Sequence, residues 1–360
     1  MVVEKRIYGL ALLSLGVFVL FQFIMPPAAP GNDREMLRAA ETMARAIDAL
    51  RSCNGADGRT IDDKTDLNRT GLIGLESSSI TTSLGQIEAK RTTTNPNFAG
   101  LVVKLLKEAG VGRGDAIAIG ASSSFPALIL ASVSATSALG ARPVMILSLG
   151  ASNWGANDPR FTSLDMLECA RRAGVFDIKP VALAVGGEND SGADMSAEGR
   201  AFLADKIAAA GLPLVQQPDL AADVRERMRL YEEGAKPAAV KAFINIGGSW
   251  ANMGVDSRVL KLKPGLTEVA EIPPEGKRGA IQAMAARGVP VIHLLYVKGL
   301  ADKYGLPWDP IPLPKPGEGE LFRTGARAPV AFLFAAGIYL LLTAGSLLGI
   351  DRRKMMRLLN

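Results

Sequence analysis

Residues 116–148, with the sequence AIAIGASSSFPALILASVSATSALGARPVMILS, decide the fold class. Two short apolar runs, 116–119 and 143–148, enclose a Gly- and Ser-rich loop at 120–126 and a helix-forming segment at 127–139. Continuous apolar runs that alternate with helices are typical of parallel strands buried on both faces of a sheet. This stretch therefore predicts one strand–helix–strand unit of an α/β domain.

The alternation of strands and helices continues on both sides of that unit. Strands are predicted at 181–185, 242–246 and 290–295, with a short one at 212–215. We therefore predict an α/β fold, doubly wound, in which a mostly parallel sheet carries helices on both faces within residues 26–305. The spacing of apolar residues predicts helices at 33–51, 97–109, 162–173, 196–210 and 220–233.

Two uncharged apolar runs lie near the ends of the chain, at 7–25 and 328–350. Each is long enough for a helix that crosses a bilayer, which takes roughly 20 apolar residues. For the first run, a cleaved signal peptide is the alternative. The sequence therefore predicts one transmembrane helix at each terminus, with tails at 1–6 and 351–360 and a proline-rich linker at 306–327.

The positive charge of the chain is concentrated at its ends. The formal net charge is +5. By the positive-inside rule both tails are predicted to be cytoplasmic, which places the domain outside a cell membrane that the chain crosses twice. The inverted orientation stays open. The rest of the chain is nearly neutral, so nucleic-acid binding is not expected. The basic residues of the tails are Lys5, Arg6, Arg352, Arg353, Lys354 and Arg357.

The chain contains only two cysteines and one histidine. Cys53 and Cys169 do not make a disulfide framework, and whether they pair is left open. The same composition excludes a typical zinc site. Glu188, Asp190 and Asp194 do not follow a calcium-binding spacing, so a solvated loop is favoured for them. We therefore predict no metal and no cofactor.

Loops rich in Gly, Ser and Asn follow four of the predicted strands, at 120–126, 150–157, 186–192 and 247–254. Ligands of open α/β sheets bind beyond the carboxyl ends of the strands, where these loops supply uncharged hydrogen-bond donors. Ordinary turn and N-cap roles are the alternative. The pattern predicts a cradle for carboxylate or phosphate groups, with its two tryptophans flanking one cleft. The candidate ligand-binding residues are Ser122, Ser123, Ser124, Asn153, Trp154, Ser249 and Trp250.

A polar run at 76–98, ESSSITTSLGQIEAKRTTTNPNF, precedes the first strand of the quoted unit. Its density of hydroxyl groups exceeds what a surface loop needs. Lys90 and Arg91 are candidates for pairing with the carboxylates of a substrate. A polar loop followed by an N-cap is the alternative. The other candidate ligand-binding residues of this run are Glu76, Ser77 and Ser78.

A serine hydrolase is the enzyme hypothesis. Ser122, Ser123 and Ser124 occupy a strand-to-helix turn, where a nucleophile elbow would lie, and the hydroxyl tract at 77–83 is a second candidate. However, the chain contains neither G-x-S-x-G nor S-x-x-K. A Ser–His triad would have to use His293, which lies in an apolar strand, where a structural role is favoured. The sequence therefore favours a non-catalytic role and leaves enzyme activity as the alternative.

Four segments of the chain resemble the poly-gamma-glutamate system proteins: ESSSITT at 76–82, LGQIEAKRTTTNPNFA at 84–99, GASSSFPAL at 120–128 and LGASNWGAND at 149–158. These are membrane proteins associated with the machinery that makes poly-γ-glutamate. The resemblance implies a role in a capsule or polymer pathway, beside a membrane-bound ligase and a polytopic subunit. It supplies no catalytic residues.

The residues and the resemblance together lead to three hypotheses. The first is a membrane-anchored accessory subunit of poly-γ-glutamate biosynthesis or export, whose cleft binds the anionic γ-glutamyl polymer. The second is an extracytoplasmic serine-type hydrolase or transferase that acts on γ-glutamyl amide bonds. The third is a membrane scaffold that holds its partners and binds no polymer.

Overall fold

A six-stranded sheet organises the described part of the chain. The computed structural model describes residues 33–56 and 58–323, together with Ser14, Tyr339, Leu340 and Thr343. The strands are β1 (Ala116–Ser122), β2 (Arg142–Ser148), β3 (Ala182–Ala184), β4 (Val240–Ile246), β5 (Gly265–Thr267) and β6 (Val291–Leu294). Their order across the sheet is β3-β2-β1-β4-β6-β5. Neighbouring strands are parallel, except that β5 runs antiparallel to β6.

Local sequence signals set the ends of several helices. A capping box of Thr162 and Asp165 starts one helix, and the Asp219 carboxylate accepts a hydrogen bond from the Ala222 amide at 2.8 Å to start another. The helices are α1 (Arg34–Ala56), α2 (Ile87–Thr93), α3 (Asn97–Glu108), α4 (Pro126–Leu139), α5 (Ser163–Arg172), α6 (Ala197–Ala210), α7 (Leu220–Ala235), α8 (Trp250–Met253), α9 (Ala280–Ala285) and α10 (Val297–Tyr304).

Helices cover both faces of the sheet. Ile117 and Ile119 of β1 belong to the core that packs against α1, α3, α4 and α5, while Ala118 faces the core beneath α7 and α9. Because both faces are buried, the central strands contain continuous apolar stretches, such as 116–119 and 143–147, rather than apolar residues at alternate positions. The predicted α/β sheet with helices on both faces is therefore present.

Two details of the sheet differ from the prediction. The antiparallel edge strand β5 has three residues, which is too short for a period of two to be recognised. The segment predicted as a strand at 212–215 makes only an isolated bridge, between Leu214 and Leu183.

The predicted transmembrane helices are contradicted. Within residues 33–56, 58–323 and the four isolated positions, no helix is both long enough and apolar enough to cross a membrane. The longest helix there, α1, carries charged side chains along its length, because only one of its faces packs on the core. The predicted spans 7–25 and 328–350 lie outside the described residues, apart from Ser14, Tyr339, Leu340 and Thr343. The two spans were predicted from hydropathy alone. The placement of the chain in a cell membrane that it crosses twice, with the domain extracytoplasmic, depended on these spans and is contradicted by the same finding.

The proline-rich segment 306–317 contacts the domain. Asp309 pairs with Arg91 of α2, and its backbone amide donates to the Thr92 hydroxyl at 2.8 Å. The Asn97 side chain at the start of α3 accepts from the Gly317 amide at 2.9 Å. The segment therefore fixes the position of α2, which borders the candidate site.

Candidate functional site

A cleft of about 280 Å³ opens beyond the carboxyl ends of β1, β2 and β4. The chain after β1 leads to one side of the sheet and the chain after β4 to the other, so the cleft lies where ligands of open α/β sheets bind. Segment 82–90 covers it from outside the sheet. The residues that line it include Thr82, Ser83, Gly85, Lys90, Ser122, Ser124, Phe125, Ser148, Ser152, Asp194, Ser249, Trp250 and Leu295.

Lys90 lies at the edge of this cleft with its side chain buried. Its Nζ atom donates to the Ser124 carbonyl and contacts the Ser152 Oγ atom at 2.7 Å. The same Nζ lies 3.8 Å from the centre of the Phe125 ring. No carboxylate pairs with Lys90 within the described residues, and burial lowers the pKa of Lys90 to about 7.

Three serines are linked along the floor of the cleft. The Ser122 hydroxyl donates to the Ser124 hydroxyl at 3.1 Å, and the latter accepts from the backbone amide of Ser152 at 3.0 Å. Gly85 packs tightly over this arrangement: a Cβ atom there would lie 3.1 Å from the Ser152 Oγ and 3.2 Å from the Lys90 Cε. The geometry of Lys90 and Ser152 is therefore held from several sides.

The opposite wall of the cleft comes from the loop after β4. Gly247 turns this loop at a φ of +77°, a conformation that favours glycine. The Ser249 hydroxyl is buried, with 8% of the residue exposed, and finds no hydrogen-bond partner in the part of the chain that is described. Trp250 and Leu295 add apolar surface beside it. A buried hydroxyl without a partner at a cleft wall is a position where a ligand would satisfy the missing bond.

A buried ion pair lies behind the cleft. Arg227 of α7 and Asp190 have side chains with 0% exposure, and the Arg227 Nη2 atom also donates to the Ser148 Oγ at 3.1 Å. Ser148 ends β2 and lines the cleft. Asp190 belongs to the acidic loop that was expected to be solvated. It is instead part of the support under the site.

The structure brings together a subset of the predicted ligand-binding residues. Lys90, Ser122, Ser124, Ser249 and Trp250 all line the cleft, although the chain segments that carry them are far apart in sequence. Parallel strands end at one edge of the sheet, which is why their loops converge.

Ser123 and Asn153 hold the loops instead of lining the cleft. Ser123 is fully buried and its hydroxyl donates to the Ser148 carbonyl at 2.8 Å. The Asn153 side chain accepts from the Gly85 amide at 3.1 Å and donates to the Glu76 carbonyl. These contacts join the 76–85 segment to the loop after β2.

Glu76 and Trp154 line a different cavity, of about 430 Å³, so the two tryptophans do not border the same one. Ser77 is exposed, and the Ser78 hydroxyl donates to the Asn157 carbonyl. Five hydroxyl groups of the 76–98 run make hydrogen bonds within the domain, those of Ser78, Thr81, Thr92, Thr93 and Thr94.

Arg91 has a partner within the domain. Its guanidinium forms two hydrogen bonds to the Asp309 carboxylate, at 2.8 and 2.5 Å. Such a bidentate pair is geometrically specific and satisfies the charge of Arg91. Arg91 thus connects α2 to the proline-rich segment, and its charge is not directed into the cleft.

His293 contacts Asn245 instead of a serine. The His293 Nδ1 atom lies 2.9 Å from the Asn245 Nδ2 atom on the neighbouring strand, and burial lowers the pKa of His293 to about 4. Its position inside β6 keeps it away from the residues that line the cleft. The structural role favoured for this residue fits these contacts.

Ser152 and Ser148 were missed as candidate residues. Ser152 lies in the GASNWGAN loop, but its contact with Lys90 joins positions 62 residues apart and forms no local motif. Ser148 is the last residue of an apolar strand, so no local pattern offered a reason to select it. Only the convergence of loops at the strand ends could have pointed to either residue.

Comparison with known proteins gives no match: no family model fits the chain, and no curated protein or solved structure is significantly similar to it.

Proposed function

We propose that the cleft binds a chain of γ-linked glutamyl units and that the protein is an accessory subunit of poly-γ-glutamate biosynthesis or export. The proposal is carried by the Ser249 hydroxyl, which is buried at the cleft wall and has no partner among the described residues. A carboxylate accepts hydrogen bonds only, so it suits a site whose free groups are hydroxyl donors. The resemblance of segments 76–82, 84–99, 120–128 and 149–158 to the poly-gamma-glutamate system proteins supports the choice of polymer.

In this proposal, uncharged hydroxyl groups donate the hydrogen bonds to the carboxylates of the ligand. Lys90 already contacts two oxygen atoms and one ring face, so a direct ion pair with a ligand would require it to leave them. Ser122 and Ser124 add further hydroxyl groups on the floor of the cleft. Hydrogen bonds from hydroxyl groups to a charged acceptor contribute about 1.5 to 3 kcal/mol each, which is enough for selective binding of a carboxylate.

Ser249→Ala is expected to weaken binding of a γ-linked glutamate oligomer by about tenfold or more, because one hydrogen bond to a carboxylate is lost. The same change should raise the free energy of unfolding, by up to about 1 kcal/mol, because the free protein no longer buries an unpartnered hydroxyl. Isothermal titration calorimetry and urea unfolding measure the two effects.

Ser134→Ala is the matched control. Its hydroxyl is also buried and unpartnered within the described residues, but it lies in α4 and does not line the cleft. It should raise stability without changing affinity. An α-linked glutamate oligomer tests selectivity for the γ-linkage. If the wild-type protein binds no γ-linked oligomer of either stereochemistry, the proposed function is overturned. The hypothesis of a scaffold that binds no polymer would then be favoured.

A further inference from the structure

The contact between Lys90 and Ser152 has the geometry of a nucleophile and its base. The Nζ and Oγ atoms are 2.7 Å apart, within the range required for proton transfer. Ser152 lines the cleft, and its backbone is fixed by the hydrogen bond from its amide to the Ser124 hydroxyl. Ser–Lys pairs are an established variant of the arrangement in which a serine hydroxyl is activated by a neighbouring base.

The surroundings of Lys90 favour a base over a structural cation. A buried lysine that only supports a fold normally pairs with a carboxylate, and Lys90 has none among the residues described. Burial brings the pKa of Lys90 to about 7, so both protonation states are populated at neutral pH. The Phe125 ring and the Ser124 carbonyl stabilise the ammonium form that a proton transfer would create.

We propose that Ser152 is the nucleophile and Lys90 the general base of an acyl-transfer site in this cleft. The proposal rests on the proposed function, because the acyl donor would be the γ-glutamyl chain bound there. It differs from the serine hydrolase hypothesis in both residues, since that hypothesis placed the nucleophile at 122–124 or in the tract at 77–83 and the base at His293.

The reaction balances with water as the second substrate. The Ser152 Oγ atom attacks the carbonyl carbon of a γ-glutamyl amide while its proton passes to the Lys90 amine. The C–N bond then breaks, and the leaving amine takes that proton from the Lys90 ammonium. Water attacks the resulting ester and gives a proton to Lys90, and the C–O bond breaks. The proton returns to Ser152 as the shortened chain leaves with a new carboxyl group.

Among the described residues, the hydroxyls of Ser122 and Ser124 have no base in contact. Ser122 donates to the Ser124 hydroxyl, and Ser124 in turn accepts from a backbone amide. Neither hydroxyl contacts Lys90 or His293, since only the carbonyl of Ser124 reaches the Lys90 Nζ atom. The Ser148 hydroxyl lies 3.5 Å from an Asp190 carboxylate that Arg227 already holds. Ser152 is therefore the serine that the geometry activates.

A fluorophosphonate probe tests the nucleophile directly. The serine Oγ attacks phosphorus and fluoride leaves, so the label marks an activated serine and survives digestion. We expect the full wild-type chain to take up one label, located on Ser152 by peptide mass spectrometry. Ser152→Ala should lose the label, while Ser137→Ala, an exposed serine of α4 away from the cleft, should label as the wild type does.

The pH profile and two lysine variants test the base. The labelling rate should rise with pH through about 7 and then level off, because the neutral amine is the active form. Lys90→Met should slow labelling by about a hundredfold or more. Lys90→Arg should slow it equally, since arginine keeps the positive charge but cannot accept a proton. Lys104→Met, a control in α3 at a partly exposed lysine that pairs with Glu108, should change nothing.

The outcomes separate this inference from the proposed function. Label on another serine, or a rate that does not depend on pH around 7, overturns the Ser152–Lys90 site even if γ-linked oligomers bind. Binding without any labelling of the wild type also overturns it and leaves the accessory subunit as proposed. Label on Ser152 without oligomer binding overturns the proposed polymer instead. Circular dichroism of each variant establishes that a lost label does not reflect lost folding.

Discussion

Reduction of the disulfide between Cys53 and Cys169 is expected to lower the free energy of unfolding by about 4 to 5 kcal/mol. The bond joins α1 to α5 across a sequence separation of 116 residues. A cross-link over so long a loop restricts the unfolded chain strongly, and the chain-entropy relation gives the quoted magnitude. Urea unfolding followed by circular dichroism, with and without reductant, should show a large fall in the midpoint.

A double variant controls this experiment. Cys53→Ala with Cys169→Ala should unfold at the lower midpoint in both conditions, because no bond remains to be reduced. An oxidised wild type whose midpoint does not respond to reductant would contradict the prediction. The size of the effect matters because single domains are stabilised by only about 5 to 15 kcal/mol in total.

Asp190→Asn is expected to lower the free energy of unfolding by about 3 to 5 kcal/mol, because it removes the hydrogen-bonded counter-charge of the buried Arg227 guanidinium. Both side chains have 0% exposure. Asparagine keeps the shape of aspartate and tolerates the φ of +60° at this position, so backbone strain does not add to the loss. Urea unfolding of the variant measures the effect.

Two comparisons isolate the buried charge. Arg229→Met removes another arginine of α7 whose ion pairs with Glu226 and Glu233 are about half exposed, and it should cost less than about 1 kcal/mol. The double variant Asp190→Asn with Arg227→Met should lose less than the two single variants added together. Strict additivity would contradict the view that these residues form one buried unit.

The ion pair also connects stability to the candidate site. Arg227 donates to the Ser148 hydroxyl, and Ser148 lines the cleft. A substitution in the ion pair would therefore alter a contact of a cleft residue. Within the described ranges, the same cleft contains a Ser249 hydroxyl that has no hydrogen-bond partner and a buried Lys90 that has no carboxylate partner. Groups that cost stability and are retained at one cleft are typical of sites built for a ligand or a reaction.

Part of the candidate site could be predicted from the sequence. The Gly- and Ser-rich loops after the strands indicated where a ligand would bind, and Lys90, Ser122, Ser124, Ser249 and Trp250 do line the cleft. The topology rule explains this agreement, because the carboxyl ends of parallel strands meet at one edge whatever the details of packing.

Which partner each side chain has could not be predicted. Lys90 and Arg91 are adjacent in the sequence and were assigned the same role, yet Arg91 pairs with Asp309 while Lys90 contacts Ser152. Successive residues of a helix point in different directions, so neighbours in sequence meet different surroundings. The pairing of Cys53 with Cys169 stayed open for a similar reason, since it depends on how α1 packs against α5.

The sequence by itself determined the α/β class, the mostly parallel strands and the sheet edge at which a site would lie, because apolar runs and turn residues act locally. The prediction of two transmembrane helices was wrong. It rested on hydropathy, which records composition, whereas a membrane span requires a long apolar helix, and none is found among the described residues. Only the tertiary structure decided that Ser152 contacts Lys90, that Asp190 is buried against Arg227 and that Ser249 has no partner in the described part of the chain. Contacts between distant segments depend on how helices and loops pack over the sheet, and no local pattern records that.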